Sequence, residues 1–442
     1  MNTQGPINDY RVREAIQDAK ADYRTRTAGS LAMHQRAEES MPGGNTRSVL
    51  FYDPYPLVMK SGKDATLQDV DENEYLDFLG EYTAGLYGHS HPTIQKSLIN
   101  VITNGISFGS HNDLEVRFAE ALRQRYPAME RLRFTNSGTE ANLMALTLAR
   151  MATSCKTVLV FAGAYHGAVF AFPGAGGSPT NVPFRFVVGS YNDAEEASRL
   201  IHDNASDLAA VIVEPMLGAG GCIPATDEFL QVLRDETLKT KSHLILDEVM
   251  TSRLAYNGLQ SAYQISPDLM TVGKYLGGGM SFGAFGGAKD LMAWFDPRTP
   301  GSLAHAGTFN NNVLTMAAGI AGLEEVLTEA RLEDLNVRGA QLRSMLNETL
   351  QRRNKRGVVT GVGSVMTIHL GKDRVENAKD VALCDQDLKE LMFLHFLSEG
   401  IYVARRLMIS LSLPITDLDC QKFAATFDGF FDLYGQLVPD RE

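Results

Sequence analysis

The sequence predicts an α/β protein: a doubly wound, mostly parallel sheet in a large domain, followed by a smaller α+β C-terminal domain. Three observations carry this. Between about residues 130 and 290, short apolar runs alternate with segments of helical period. Runs such as "TVLVFA" and "AAVIV" are apolar on both faces, as in parallel strands covered on both sides, whereas one-sided strands alternate. From about residue 326 the pattern changes to a long charged helix and a few short strands.

Taken in order, "RLRFT" (131–135) is the first strand of the large sheet, and the helix after it starts at about Thr139. "TVLVFA", "FRFVV" and "AAVIVE" follow, then a helix from about Thr226, then "HLILDEV" and "DLMTVG". "FPGAGGSPTNVP" (172–183) is a loop, because its Gly and Pro forbid regular structure. Beyond 326 come "EARLEDLNVRGAQLRSMLNETLQRR", two short strands near 357–370, another helix, and the strands "IYV" and "MISLSL". The expected division is an N-terminal segment, 1–70, joining the small domain; a large domain, 71–325; and the small domain, 326–442.

The 442 residues are 44% hydrophobic and 21% charged, an ordinary globular composition with enough apolar mass for a sizeable core. A formal charge of −12 argues against nucleic acid or an anionic membrane as partner, since those surfaces are held by clustered Lys and Arg. The first twenty residues are polar and no apolar run approaches the roughly 20 residues that span a bilayer, so a cytoplasmic protein is expected. Four cysteines far apart, with no CxxC pair, suggest neither a disulfide framework nor a metal knuckle, and no metal is expected.

Open parallel sheets bind ligands at the carboxyl ends of their strands. After the successive runs stand Asn136-Ser137-Gly138-Thr139, then Tyr165-His166, Glu214, Asp247 and Lys274. "LILDEV" alone resembles a nucleotide-hydrolase strand, but the G-x-x-x-x-G-K-[ST] phosphate loop is missing. G-x-S-x-G occurs at 105–109 and 279–283, yet neither follows a strand and opens a helix, as a nucleophile elbow requires. "TNSGTEANLMALTLAR" can be read simply as a capped helix with Leu143, Leu146 and Ala149 on one face, or as a cup in which helix amides and two hydroxyls hold a phosphate.

Lys274 stands between an apolar run and "YLGGGMSFGAFGG", where water and counter-charge are scarce. Burial there lowers its pKa and favours the neutral amine that attacks carbonyls. Lys274, Asp247 and a phosphate-ready helix together match what pyridoxal 5'-phosphate demands: a Schiff-base lysine, a carboxylate beside the pyridine nitrogen, and an anion site. The catalytic pair expected from the residues is therefore Lys274 and Asp247.

At these residues the chain resembles the class III, or ω-type, aminotransferases of pyridoxal phosphate fold type I. The matching segments are "FTNSGTEANLMALTLAR", "FAGAYHG", "VIVEPMLGAGG", "LILDEVMTSR", "DLMTVGKYLGGGMSFGAFGG" and "HAGTFNNN", in order from about residue 40 onward. The resemblance implies that Ser137, Gly138 and Thr139 surround the phosphate and that Tyr165 and Val249 press on opposite ring faces. His166 and Glu214 would lie in the same cofactor site. Thr308 would reach the phosphate of a neighbouring subunit, which implies a homodimer with shared active sites.

Two branches of the family are similar, the glutamate-1-semialdehyde 2,1-aminomutases and the β-phenylalanine (β-amino acid) aminotransferases. "NTRSVLFY" and "GTFNNN" favour the second, in which an amino group passes from a β-amino acid to a 2-oxo acid such as 2-oxoglutarate by a ping-pong mechanism. Arg47 and Arg406 are the expected carboxylate binders, because a guanidinium fork grips a carboxylate at two points and its long stem can swing aside. Arg405 is an alternative to Arg406. Val49, Phe51, Tyr82 and Met408 are the expected lining. A racemase and a catalytically silent dimeric scaffold are further readings; the scaffold would have no use for Lys274 and Asp247.

Overall fold

The computed structural model describes residues 5–174 and 176–441. Seven strands form the large sheet: β1 (Arg131–Thr135), β2 (Thr157–Phe161), β3 (Arg185–Gly189), β4 (Leu208–Val213), β5 (His243–Asp247), β6 (Leu269–Gly273) and β7 (Gly283–Gly287). Their order is β1-β7-β6-β5-β4-β2-β3. Neighbours from β6 to β3 run parallel, and β2, β4 and β6 are buried at every position. The six strands read from apolar runs are all present, in an α/β fold with a mixed, mostly parallel sheet.

The seventh strand escaped the sequence reading. β7, "GAFGG", runs antiparallel to both β6 and β1. Glycine is depleted in strands because it brings no side chain to pack, so the segment reads as loop. Close approach explains it: a Cβ on Gly283 would lie 2.1 Å from the Ser137 carbonyl oxygen, and one on Gly287 would lie 2.2 Å from that of Asp268. Gly283→Ala is expected to destabilise the chain by about 1–3 kcal/mol, the usual cost of overpacking, measured by urea unfolding.

Helix α1 (Gly138–Thr153) follows β1 and buries Ala141, Asn142, Ala145, Leu146, Leu148 and Ala149. Leu143, expected on that face, is only partly buried. Helix α2 (Asp227–Thr240) begins where Thr226 caps it by accepting from the Phe229 amide, and such caps contribute ~1 kcal/mol. Beyond the large sheet, helix α3 (Glu329–Arg352) leads into strands β8 (Gly357–Val362), β9 (Val365–Leu370) and β10 (Met408–Ser410), which form a three-stranded antiparallel sheet.

The two ends of the chain meet. Strand 401–402 pairs in parallel with strand 74–77, completing a four-stranded sheet with 59–63 and 66–69. Lys20 reaches Glu390 at 2.6 Å. Arg253, fully buried, ties the loop after β5 to the C-terminal part: its Nη1 donates to the Thr83 carbonyl and the Ser410 hydroxyl, and its Nη2 to the Ser364 hydroxyl and the Leu411 carbonyl. No helix among the described residues is long and apolar enough to cross a membrane.

Candidate active site

The chemistry-bearing residues stand at or just beyond the carboxyl ends of β1, β2, β4, β5 and β6, the last four of which are neighbours. β1 leads into Ser137, which caps α1: its hydroxyl accepts from the Glu140 amide at 3.2 Å. Glu140 reaches back to accept from the Asn136 amide at 2.9 Å. These bonds fix the first turn of α1, whose positive end favours an anion. Thr139 is held beside the Tyr165 loop, its hydroxyl accepting from the Ala168 amide at 3.2 Å. A Cβ on Gly138 would lie 2.7 Å from Val249 Cγ1, so the helix start and Val249 are in direct contact.

Asp247 ends β5 and is buried. Its Oδ1 accepts from the Val249 amide at 3.0 Å, while Oδ2 takes Asn142 Nδ2 at 2.7 Å and meets His166 Nδ1 at 2.8 Å. Asn142 also donates to the His166 carbonyl and accepts from the Thr271 hydroxyl. The carboxylate is thus fixed from three elements. Asn142 was not read from the sequence, although one signal was present: asparagine is a poor helix former, and here it falls on the buried face of α1.

Glu214, just past β4, accepts from the Tyr165 amide at 3.0 Å and the Gly218 amide at 2.9 Å. Burial pushes its pKa up to about 7; the His166 charge opposes the shift and the Asp247 charge adds to it. The folded chain therefore keeps a proton that the unfolded chain, at an ordinary 4.5, has released. The stability from this group is full below about 4.5 and lost as the pH rises through about 7. Melting temperatures across that window are expected to decline less steeply in Glu214→Gln. Glu248, raised to about 7 by its own burial, leaves the variant a residual slope.

Lys274 opens a short 3-10 turn directly after β6, with φ at +54°. Loss of water around its amine lowers its pKa; the Asp247 and Glu214 charges resist, and those of Arg406 and Arg47 add to the depression. The depression favours the neutral form of an amine that lies close enough to two buried acids to feel their charges. Tyr165 keeps 45% of its surface exposed next to buried His166. Ser107 and Ser281 both lie outside any turn from a strand into a helix.

The arginines separate. Arg405 is exposed and pairs with Glu390 at 3.2 Å, whereas Arg406 places its guanidinium carbon 5.1 Å from the centroid of the Tyr82 ring. Arg47 reaches the same ring at 5.4 Å and pairs with Glu81. Tyr82 donates its hydroxyl to the Val49 carbonyl at 3.2 Å. Met408, also expected in the lining, is buried and its sulfur accepts from Arg406 Nη2 at 3.0 Å. Val49 and Phe51 are exposed.

Thr308 is not among these groups. It lies in an exposed loop lining a separate cavity of about 590 Å³ with Ile106, Phe108 and Phe309.

A lysine with a depressed pKa, a held carboxylate and a helix N-terminus on such a sheet fit what pyridoxal phosphate needs. The profile of the class-III aminotransferases matches residues 51–424, and the chain belongs to that family. It is a transaminase whose cofactor is pyridoxal 5'-phosphate.

Among its relatives, the β-phenylalanine transaminase of Variovorax paradoxus is 49% identical over 96% of this chain and 98% of its own. The crystal structure of the β-phenylalanine aminotransferase from that organism superposes with a TM-score of 0.96 at 47% identity, covering 98% of this chain and 100% of that one. A glutamate-1-semialdehyde 2,1-aminomutase from Methanopyrus kandleri is more distant, 33% identical over 91% of this chain and 97% of its own.

Proposed function

We propose that this transaminase takes its amino group from a β-amino acid of β-phenylalanine type and passes it to a 2-oxo acid such as 2-oxoglutarate, in ping-pong fashion. The observation that carries the reading is the pair of guanidiniums, Arg47 and Arg406, converging on Tyr82 near Lys274. A dicarboxylate acceptor needs two cationic arms, and a donor with one carboxylate and an aryl group needs one arm and an aromatic neighbour. The likeness to the V. paradoxus enzyme supports the same donor class.

When bound, pyridoxal phosphate supplies an electron sink that accepts an amino group and returns it. Lys274 would hold it covalently, and the freed Nζ would take a proton from the substrate carbon and give it back. Asp247, steadied by Asn142 and His166, would keep the ring nitrogen positive. Ser137, Gly138 and Thr139 would bind the phosphate. Tyr165 and Val249 would flank the ring, and Glu214 would fix the Tyr165 backbone.

Thr308 would serve the phosphate site of a second copy. Its exposure, together with exposed Ile106, Phe108 and Phe309 around the same cavity, supports a homodimer, since contiguous apolar surface marks an interface. The division into 1–70, 71–325 and 326–442 and a cytoplasmic location belong to the same proposal.

The test is the half-reaction. Holoenzyme mixed with 3-amino-3-phenylpropanoate is expected to lose its yellow absorption, and to do so faster than with an α-amino acid or glutamate 1-semialdehyde. Bleaching by the semialdehyde alone, with turnover needing no separate acceptor, would replace the proposal with an aminomutase.

A further inference from the structure

We propose that Glu81 is a specificity residue of this site, an internal carboxylate that occupies Arg47 whenever the bound substrate offers that arm no carboxylate of its own. The inference rests on the reading of Arg47 and Arg406 as substrate binders and deepens it.

The backbone around Glu81 is built for a purpose other than easy folding. Residues Gly80, Glu81, Tyr82 and Thr83 have φ of +51°, +47°, +52° and +80°. Three consecutive residues with side chains in the left-handed region are unfavourable, and such geometry persists only where its surroundings enforce it. Here Asp77 Oδ1 accepts from the Leu79 and Gly80 amides at 2.8 and 3.0 Å, the Gly80 carbonyl accepts from the Gly85 amide at 2.8 Å, and Arg253 holds the Thr83 carbonyl. The result is that two successive side chains, Glu81 and Tyr82, both meet Arg47. Glu81 Oε1 pairs with Arg47 Nη1, and the Tyr82 ring lies near both guanidiniums.

The two arms are unequal. Among the described residues Arg406 pairs with no carboxylate: its Nη2 donates to the Met408 sulfur, and its buried Nε has no partner. Arg47 already has one. The Arg47–Glu81 pair is exchangeable, because the two side chains are 43% and 57% exposed, and exposed ion pairs hold weakly.

The physical consequence differs between substrates. A dicarboxylate must displace Glu81 to use Arg47, so Glu81 weakens its binding. A substrate with one carboxylate on Arg406 would otherwise bring its aryl group against an uncompensated charge. Glu81 neutralises that charge and strengthens its binding.

Unreactive probes read this directly. Glutarate and 3-phenylpropanoate are titrated calorimetrically into the holoenzyme and its Glu81→Gln variant. The substitution is expected to lower the Kd for glutarate about threefold and raise that for 3-phenylpropanoate about threefold, the scale of an exposed ion pair. Glu81→Asp, which keeps the charge, is expected to stay near the wild type in both. In an Arg47→Met background Glu81→Gln should shift neither Kd.

Two unmoved constants, two that move in the same direction, or shifts that persist without Arg47 would overturn the proposal. If these shifts appear but 3-amino-3-phenylpropanoate does not bleach the enzyme, the donor assignment fails and the role of Glu81 stands. The converse removes Glu81 alone.

Discussion

Lys274→Ala is expected to bind pyridoxal phosphate but to turn over about 10²–10⁴-fold more slowly, the range that loss of a positioned proton carrier produces. The expectation follows from the placement of Nζ: a dehydrated amine at the end of β6, close enough to Asp247 and Glu214 to feel both charges. Lys274→Arg should fare no better, because a guanidinium does not deprotonate and cannot attack a carbonyl. Steady-state kinetics checks the rate. Borohydride reduction followed by peptide mapping checks the bond: the tag should fall on the peptide containing "LMTVGKYLGGG" in the wild type and vanish in Lys274→Ala. A tag elsewhere would end the assignment.

Asp247→Asn is expected to lower kcat about 10²–10³-fold, as removal of one preorganised electrostatic partner does. Geometry sharpens this beyond a lost charge. Both carboxylate oxygens accept, Oδ1 from the Val249 amide and Oδ2 from Asn142, with His166 Nδ1 also on Oδ2. An amide accepts at one end only, so either the Val249 amide or the Asn142 donor faces an NH2 group in the variant. A buried donor left unmatched costs about 1–3 kcal/mol, so a lower melting temperature should accompany the slower rate. Asn142→Asp, placing a second acid beside the first, should likewise impair activity.

Much of this site was legible because it depends on strand ends. β4 is apolar throughout and β5 and β6 are mostly so, which marks where each strand ends and draws attention to Glu214, Asp247 and Lys274 there. What escaped depends on side-chain direction or on close packing. Arg405 and Arg406 are adjacent in sequence and indistinguishable by type; they are the two central residues of the tight turn that the Leu407 amide closes on the Ala404 carbonyl at 2.7 Å, and one goes to Glu390 and the other to Tyr82. Glu81 looks like any surface acid until the left-handed turn at 80–83 aims it at Arg47. Strand β7 lacks the branched residues that announce a strand, because its neighbours leave no room for them.

That glycine strand also bears on how such an enzyme can change over evolutionary time. With the Ser137 carbonyl 2.1 Å from where a methyl on Gly283 would sit, any side chain there requires the backbone at the start of α1 to move. Substitution at Arg47, Glu81 or Arg406, outside the large sheet and not fully buried, asks for no such shift, so under the proposed function new substrate preferences are expected to arise there first.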